Sequence, residues 1–119
     1  MERSDLRAYC LSKRAVIEDF PFGEDVAVYK VESKVFALLP VGAPTSISLK
    51  CDPTLAGILR ETYSAVTPGW HLNKKHWNSV KVDGSIPDSE ILEMIDHSYE
   101  QVVKGLPKKL QALLNGDQS

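Results

Sequence analysis

Three stretches of β-favouring residues follow one another without a helix between them, and this feature constrains the fold more than any other. They are VAVYKV (residues 26–31), KVFALLP (34–40) and TSISLK (45–50). Only Glu32 and Ser33 separate the first two stretches, which is the spacing of a β-hairpin. Because strands joined by short turns pair antiparallel, the sequence predicts an antiparallel sheet.

Helices are predicted before and after these strands. Apolar residues at helical spacing indicate helices over residues 4–13, 53–63 (with Asp52 as the cap), 87–104 and 107–115, and HWNSVKVDG (76–84) indicates another strand. The order α-βββ-α-β(β)-α-α predicts one domain over residues 1–119. Its fold class is α+β, a two-layer sandwich with the helices packed on one face of the sheet and the last helix peripheral.

Composition excludes several classes of protein. Hydrophobic residues make up 43% of the chain and charged residues 25%, as in globular proteins. The longest apolar run, residues 35–41, is far shorter than the roughly 20 residues of a membrane span, and the N-terminus is charged. We therefore expect a soluble, cytoplasmic protein without a membrane partner. Cys10 and Cys51 have no metal-binding spacing and are expected to be free thiols.

Charge is distributed unevenly although the formal net charge is only -2. Residues 26–82 contain seven Lys/Arg and three Asp/Glu, whereas residues 83–103 contain six Asp/Glu and no Lys or Arg. Such a division predicts a molecule with a basic and an acidic side.

The basic segment includes PGWHLNKKHWNSV, residues 68–80, which is unusually rich in aromatic, amide and basic side chains. Alternation places one set of side chains on the sheet face away from the helices, with Lys74 and Lys75 in the loop before the second strand. This set is Ser46, Ser48, Lys50, Trp77, Ser79 and Lys81, joined by Lys30 if Ala27, Tyr29 and Val31 are buried. Lysines and hydroxyls suit phosphates and indoles stack on bases, although a solvated sheet face has a similar composition.

Four segments together resemble the MmcQ/YjbR family of small bacterial proteins. They are FPFGEDVAVYKVESKVFALL, LKCDP, PGWHLNKKHWNSV and DGSIPDSEILEMIDHSYEQVV, and the resemblance extends from the first helix to about residue 106. It implies a frataxin-like (CyaY-like) α+β fold and a double-wing arrangement of strands for DNA binding. The family's motif falls on Pro68, Gly69, His71, Asn73, Lys74, Lys75, His76, Trp77 and Asn78, with Trp70 where tyrosine is frequent.

These observations predict a non-catalytic DNA-binding protein of low sequence specificity, a monomer or weak homodimer that needs no cofactor. The candidate binding residues are Lys30, Lys50, Trp70, His71, Asn73, Lys74, Lys75, His76, Trp77, Asn78 and Lys81. Asn73 and Asn78 have a structural alternative, because asparagines that flank a strand more often close turns. One alternative is a protein-protein interaction module that uses the same face. Another is weak iron binding by the acidic helix, which carries Glu90, Glu93, Asp96 and Glu100.

Metal and catalytic sites have little support in the sequence. His71 and His76 are five residues apart, which is not a spacing at which two ligands converge on a helix or strand. No arrangement of nucleophile, base and acid is recognisable. Cys51 lies just before a predicted helix N-terminus, where a thiol of lowered pKa would be a reactive group.

Overall fold

The alternating stretches of the sequence form a six-stranded antiparallel sheet in the computed structural model, which describes residues 1–69 and 72–115. In chain order the elements of these residues are α1 (Arg3–Ser12), β1 (Val16–Asp19), β2 (Val26–Val31), β3 (Lys34–Pro40), β4 (Ser46–Lys50), α2 (Pro53–Thr62), β5 (Val66–Pro68), β6 (Trp77–Lys81), α3 (Asp88–Lys104) and α4 (Lys108–Leu114).

The strands lie in the order β1-β2-β3-β4-β6-β5. β4 therefore pairs directly with β6, although α2 and β5 lie between them in the chain. Between β2 and β3 the turn consists of Glu32 and Ser33, whose φ angles are +49° and +67°. Positive φ at both central residues is the geometry that matches the twist of a two-residue hairpin. The predicted hairpin is therefore present although neither residue is glycine or asparagine.

The core lies between one face of the sheet and helices α1 and α3. Leu6 and Cys10 of α1 and Ile91 and Ile95 of α3 are fully or almost fully buried. Phe36 meets the ring of Tyr99 of α3 edge-on, with centroids 5.4 Å apart. Nearby, the Ser98 hydroxyl donates to the carbonyl of Phe36 and accepts from the Lys50 amide, which ties α3 to β3 and β4. The predicted α+β fold with helices on one sheet face is confirmed.

Helix α2 begins as the sequence indicates. The Asp52 carboxylate accepts hydrogen bonds from the amides of Thr54 and Leu55, both at 3.1 Å, and Pro53 occupies the first helical position.

Of the residues that the structure describes, none belongs to a helix long and apolar enough to cross a membrane.

One strand was absent from the sequence prediction. β1 contains only four residues, VIED, and lies at the edge of the sheet beside β2. Its sequence shows no alternation of apolar and polar residues, so no local signal marks it. The strand is held instead by its pairing with β2 and by Glu18, which accepts two hydrogen bonds from Arg7 of α1.

Candidate nucleic-acid interface

The polar side chains of β4 and β6 lie directly opposite one another. Three cross-strand pairs connect the two strands on this face: Ser46 with Lys81, Ser48 with Ser79, and Lys50 with Trp77. The hydroxyls of Ser48 and Ser79 are 3.1 Å apart and hydrogen bond. The predicted alternation of β4 is thus confirmed, and it extends in register onto β6.

This row of side chains lies on the sheet face that the helices leave open. Ile47, Leu49 and Val80, which alternate with the row, belong to the core beneath the helices. Lys81 is exposed, and Lys50 and Trp77 are half-buried. Thr67 of β5 pairs with Ser79 and is also exposed, which adds another hydroxyl that the sequence prediction did not include.

The loop between β5 and β6 carries Lys74 and Lys75, both exposed. Its shape is fixed in part by Asn73, whose side-chain oxygen accepts from the Lys75 amide at 3.0 Å while its carbonyl accepts from the His76 amide. His76 in turn accepts from the Cys51 amide at 2.7 Å through its carbonyl. Asn73 therefore closes the turn, and the two lysines project from a loop that is attached to the end of β4.

Arg60 of α2 holds the other side of this loop. Its guanidinium donates to the carbonyl oxygens of Lys74 and Trp77, the latter at 3.2 Å, and to Oδ1 of Asn78 at 2.7 Å. The sequence prediction counted Arg60 only as part of a basic segment. No local pattern could have revealed its role, because its partners lie 14 to 18 positions further along the chain.

Asn78 does not lie on the open face. It is 2% exposed, shares the helix-covered side with Val80, accepts from Arg60 and donates to the Ala56 carbonyl at 3.4 Å. Asn78 is therefore not available to a ligand on the open face, and the sequence prediction that it contacts one is corrected. Alternation along β6 contains the signal that was missed, since Asn78 and Val80 are two residues apart.

Lys30 lies on the open face but apart from the other lysines. It belongs to β2, which β3 separates from β4, and its ammonium group is 2.9 Å from Asp19 of β1. The hydrogen bond from Lys30 holds the pKa of the Asp19 carboxyl below its usual range. Lys30 therefore lies on the face that the sequence predicted, because Ala27, Tyr29 and Val31 are buried, and Asp19 compensates its charge within the sheet.

Gly69 allows the end of β5 to approach β6 closely. Its amide donates to the Trp77 carbonyl at 2.9 Å, and a Cβ placed on Gly69 would be 2.9 Å from the Trp77 Cβ. Only glycine fits this approach without a backbone shift. Trp70 and His71, both predicted ligand contacts, lie outside the described residues.

We define the basic surface as Lys50, Lys74, Lys75, Trp77 and Lys81. Within residues 1–69 and 72–115, none of its four ammonium groups lies within 4.0 Å of a carboxylate. The residues of β4, β5 and β6 on the open face include no Asp or Glu. The open face of β4, β5 and β6 therefore carries positive charge that no carboxylate of that face neutralises.

The acidic helix α3 packs on the opposite side of the sheet. Asp96 accepts from Lys13 and from the Tyr9 hydroxyl, and Glu90 accepts from the Tyr63 hydroxyl, whereas Glu93 and Glu100 are exposed. In the described part of the chain, no three His, Cys, Asp or Glu side chains are grouped so as to hold a metal ion. The carboxylates are thus divided between hydrogen-bonded and solvated positions.

Both thiols are buried and hard to ionise. Burial, with the neighbouring Asp52 carboxylate, raises the pKa of Cys51 to about 11, and burial raises the pKa of Cys10 to about 12. The sequence analysis also considered a reactive Cys51 thiol with a lowered pKa. This alternative is corrected, because the Cys51 side chain is only 5% exposed, beside residues of α2 and α3.

A sheet covered by helices on one side, with a lysine-bearing motif on the open side, defines a small α+β sandwich of a recurrent bacterial type. A solved Deinococcus radiodurans protein with a DUF419 domain has this fold, with 36% identity, a TM-score of 0.88, and coverage of 94% of this chain and 86% of that one. A Pseudomonas syringae protein is similar at 28% identity and a TM-score of 0.74, over 85% of this chain and 98% of the other.

The chain belongs to the YjbR family, whose sequence model matches residues 11–101. It is 40% identical to the YjbR protein of Escherichia coli K12 over 115 residues, which is 96% of this chain and 98% of the relative. The resemblance inferred from the sequence motifs is confirmed.

Proposed function

We propose that this protein binds nucleic acid without catalysis, through the basic surface. The observation that carries the proposal is the group of four lysines without carboxylate partners, within the described residues, around a sheet face that no helix covers. The family resemblance, with its double-wing interpretation, supports the same ligand. A second support is the loop of Lys74 and Lys75, which Arg60 and Asn73 hold in a defined shape.

The chemistry of the surface favours the backbone of a nucleic acid over its bases. Lysine ammonium groups neutralise phosphates, and hydroxyls such as that of Thr67 donate to phosphate oxygens. Specific reading of guanine usually requires an arginine fork, but Arg60 is turned inward onto carbonyl oxygens. We therefore propose low sequence specificity, with the exposed part of Trp77 available to stack on an unpaired base.

The charge distribution also orients the ligand. The carboxylates of α3 lie on the helix-covered side and repel a polyanion, so the open sheet face is the side that approaches it. We propose a cytoplasmic location with this function, since both cysteines are free and buried thiols.

Fluorescence anisotropy of labelled single- and double-stranded DNA tests the proposal. At roughly 50 mM salt, a non-specific binder with these lysines should bind in the micromolar to 100 micromolar range. The Lys74→Glu, Lys75→Glu variant should lose binding while its circular dichroism spectrum is unchanged. Lys108→Glu, Lys109→Glu is the matched control, because it reverses two adjacent exposed lysines on α4. Equal binding by both variants, or none by the native protein, would reject the proposal.

A protein partner on the same face is the second candidate. Ile17 of β1 is 58% exposed and, through its pairing with Lys30, lies on the open face, where a partner protein would bury it. Association of this kind should persist at high salt, whereas binding of a polyanion should not. Sedimentation at low and high salt shows whether a second copy of the chain occupies the face.

A further inference from the structure

A cavity of about 360 Å³ lies between helices α2 and α3, on the side of the sheet away from the basic surface. Its floor is formed by the helix-side residues of β4 and β6, among them Leu49 and Val80. Small-molecule sites in proteins have volumes of roughly 300–1,000 Å³ and mostly apolar walls with a few polar groups. The size and place of the cavity therefore suit a small organic ligand.

Each helix contributes one stripe of side chains to the walls. Leu55, Leu59 and Thr62 lie along α2 at i, i+4 and i+7, and α3 supplies Glu90, Glu93, Met94 and His97. Leu55, Leu59 and Met94 are only half-buried, although each is apolar. A ligand with an apolar body would remove these three side chains from water, which is favourable by the usual hydrophobic effect.

The polar groups of the cavity are arranged for a cation. Glu90 and Glu93 are its acidic wall residues, and Glu90 already accepts a hydrogen bond from the Tyr63 hydroxyl. Lys50 borders the cavity, but alternation along β4 directs its side chain to the open sheet face, opposite Trp77. Nε2 of His97 accepts from the Asp52 amide at 3.2 Å, which requires an unprotonated nitrogen at that position.

We infer that this cavity binds a small organic cation, an amine attached to an apolar ring or short chain. The apolar part lies against Leu55, Leu59 and Met94. The ammonium group lies at the α3 side, where Glu93 is exposed and the Glu90 carboxylate is within the same wall. The site is independent of the proposed nucleic-acid function, because it uses the helix-covered side of β4 and β6.

A titration of the ¹⁵N-labelled full chain with two matched probes tests this inference. 2-Phenylethylamine and 3-phenylpropionate carry the same ring on a two-carbon chain but have opposite charges at neutral pH. The amine should shift the amide resonances of residues around the cavity, such as Cys51, Leu59 and Glu93, in a saturable manner. The carboxylate should cause no saturable shifts there. No shift with either probe, or equal binding of both, would overturn the inference.

Two variants at an exposed position separate charge recognition from folding. Glu93→Gln should weaken binding of 2-phenylethylamine about threefold, the effect expected of one exposed charge contact. Glu93→Lys should weaken it further and raise the affinity for 3-phenylpropionate. Unchanged amine affinity in both variants would contradict the role of Glu93. The Lys74→Glu, Lys75→Glu variant should bind the amine normally, so failure of nucleic-acid binding and failure of this site are distinguishable.

Discussion

The guanidinium of Arg60 donates to Oδ1 of Asn78 at 2.7 Å, and this contact connects helix α2 to the strand that carries the basic surface. Asn78 is 2% exposed, so Arg60 satisfies an acceptor that water reaches poorly. The same guanidinium binds the carbonyls of Lys74 and Trp77. Arg60 therefore connects the buried Asn78 to the backbone of the loop that carries Lys74 and Lys75.

Removal of this pair should cost stability as well as binding. Arg60→Met leaves Oδ1 of Asn78 without its donor and should lower the free energy of unfolding by about 2 kcal/mol. Urea denaturation measures the change. In the double variant Arg60→Met, Asn78→Leu the loss should be smaller than the sum of the two single losses, because no polar atom of the pair remains unsatisfied. Additive losses would show that the pair is not coupled.

Two glycine substitutions should have opposite effects. Gly69→Ala places a Cβ 2.9 Å from that of Trp77 and should lower the free energy of unfolding by about 1–3 kcal/mol. Gly57→Ala, in helix α2 with open space around the new Cβ, should raise it by about 0.5–1 kcal/mol. Thermal unfolding of both variants measures this contrast. A neutral Gly69→Ala would mean that β5 and β6 are not closely packed.

The thiols should be inert in the folded protein. Because burial raises the pKa of Cys51 to about 11 and of Cys10 to about 12, the thiolate fraction at pH 8 is small and access is limited. Reaction with an aromatic disulfide reagent should be slow for both and should become complete in denaturant. Fast modification of Cys51 in the folded protein would contradict this prediction and indicate a reactive thiol.

Acid should weaken the attachment of β1 to α1. The pKa of Glu18 is lowered by hydrogen bonds from Arg7, at 2.8 and 3.1 Å, and from the buried Tyr29 hydroxyl. A depressed folded-state pKa stabilises the protein above the unfolded value of about 4.3, and that stability is lost as the pH falls through the folded pKa. Glu18→Gln should flatten the stability profile below pH 5, whereas Glu24→Gln, at an exposed position, should not.

The parts of the fold that were predictable from the sequence have local signals. Two-residue alternation identified β4 and the open-face positions of Lys50 and Lys81, and the Asp52-Pro53 pair identified the start of α2. β1 was missed because its four residues carry no pattern of their own and depend on β2 for pairing. Local periodicity can be recognised within a single segment, whereas a short edge strand such as β1 forms only because a neighbouring strand pairs with it.

The candidate site departs from the sequence prediction for two different reasons. Asp19, eleven residues away, compensates the charge of Lys30, whereas Asn78 is buried because alternation along β6 places it on the side that the helices cover. Motif positions indicate which residues matter, but they do not distinguish a side chain that contacts a ligand from one that holds the loop. Asn73 and Asn78 belong, by their hydrogen bonds, to the second kind.

The salt dependence of DNA affinity tests the central claim most directly. Four lysine-phosphate contacts predict a slope of about -3 to -4 in a plot of log affinity against log salt concentration. Lys74→Ala, Lys75→Ala should reduce that slope by about half, and Lys108→Ala, Lys109→Ala should leave it unchanged. A slope near zero, or equal slopes for both variants and the native protein, would contradict binding through the basic surface.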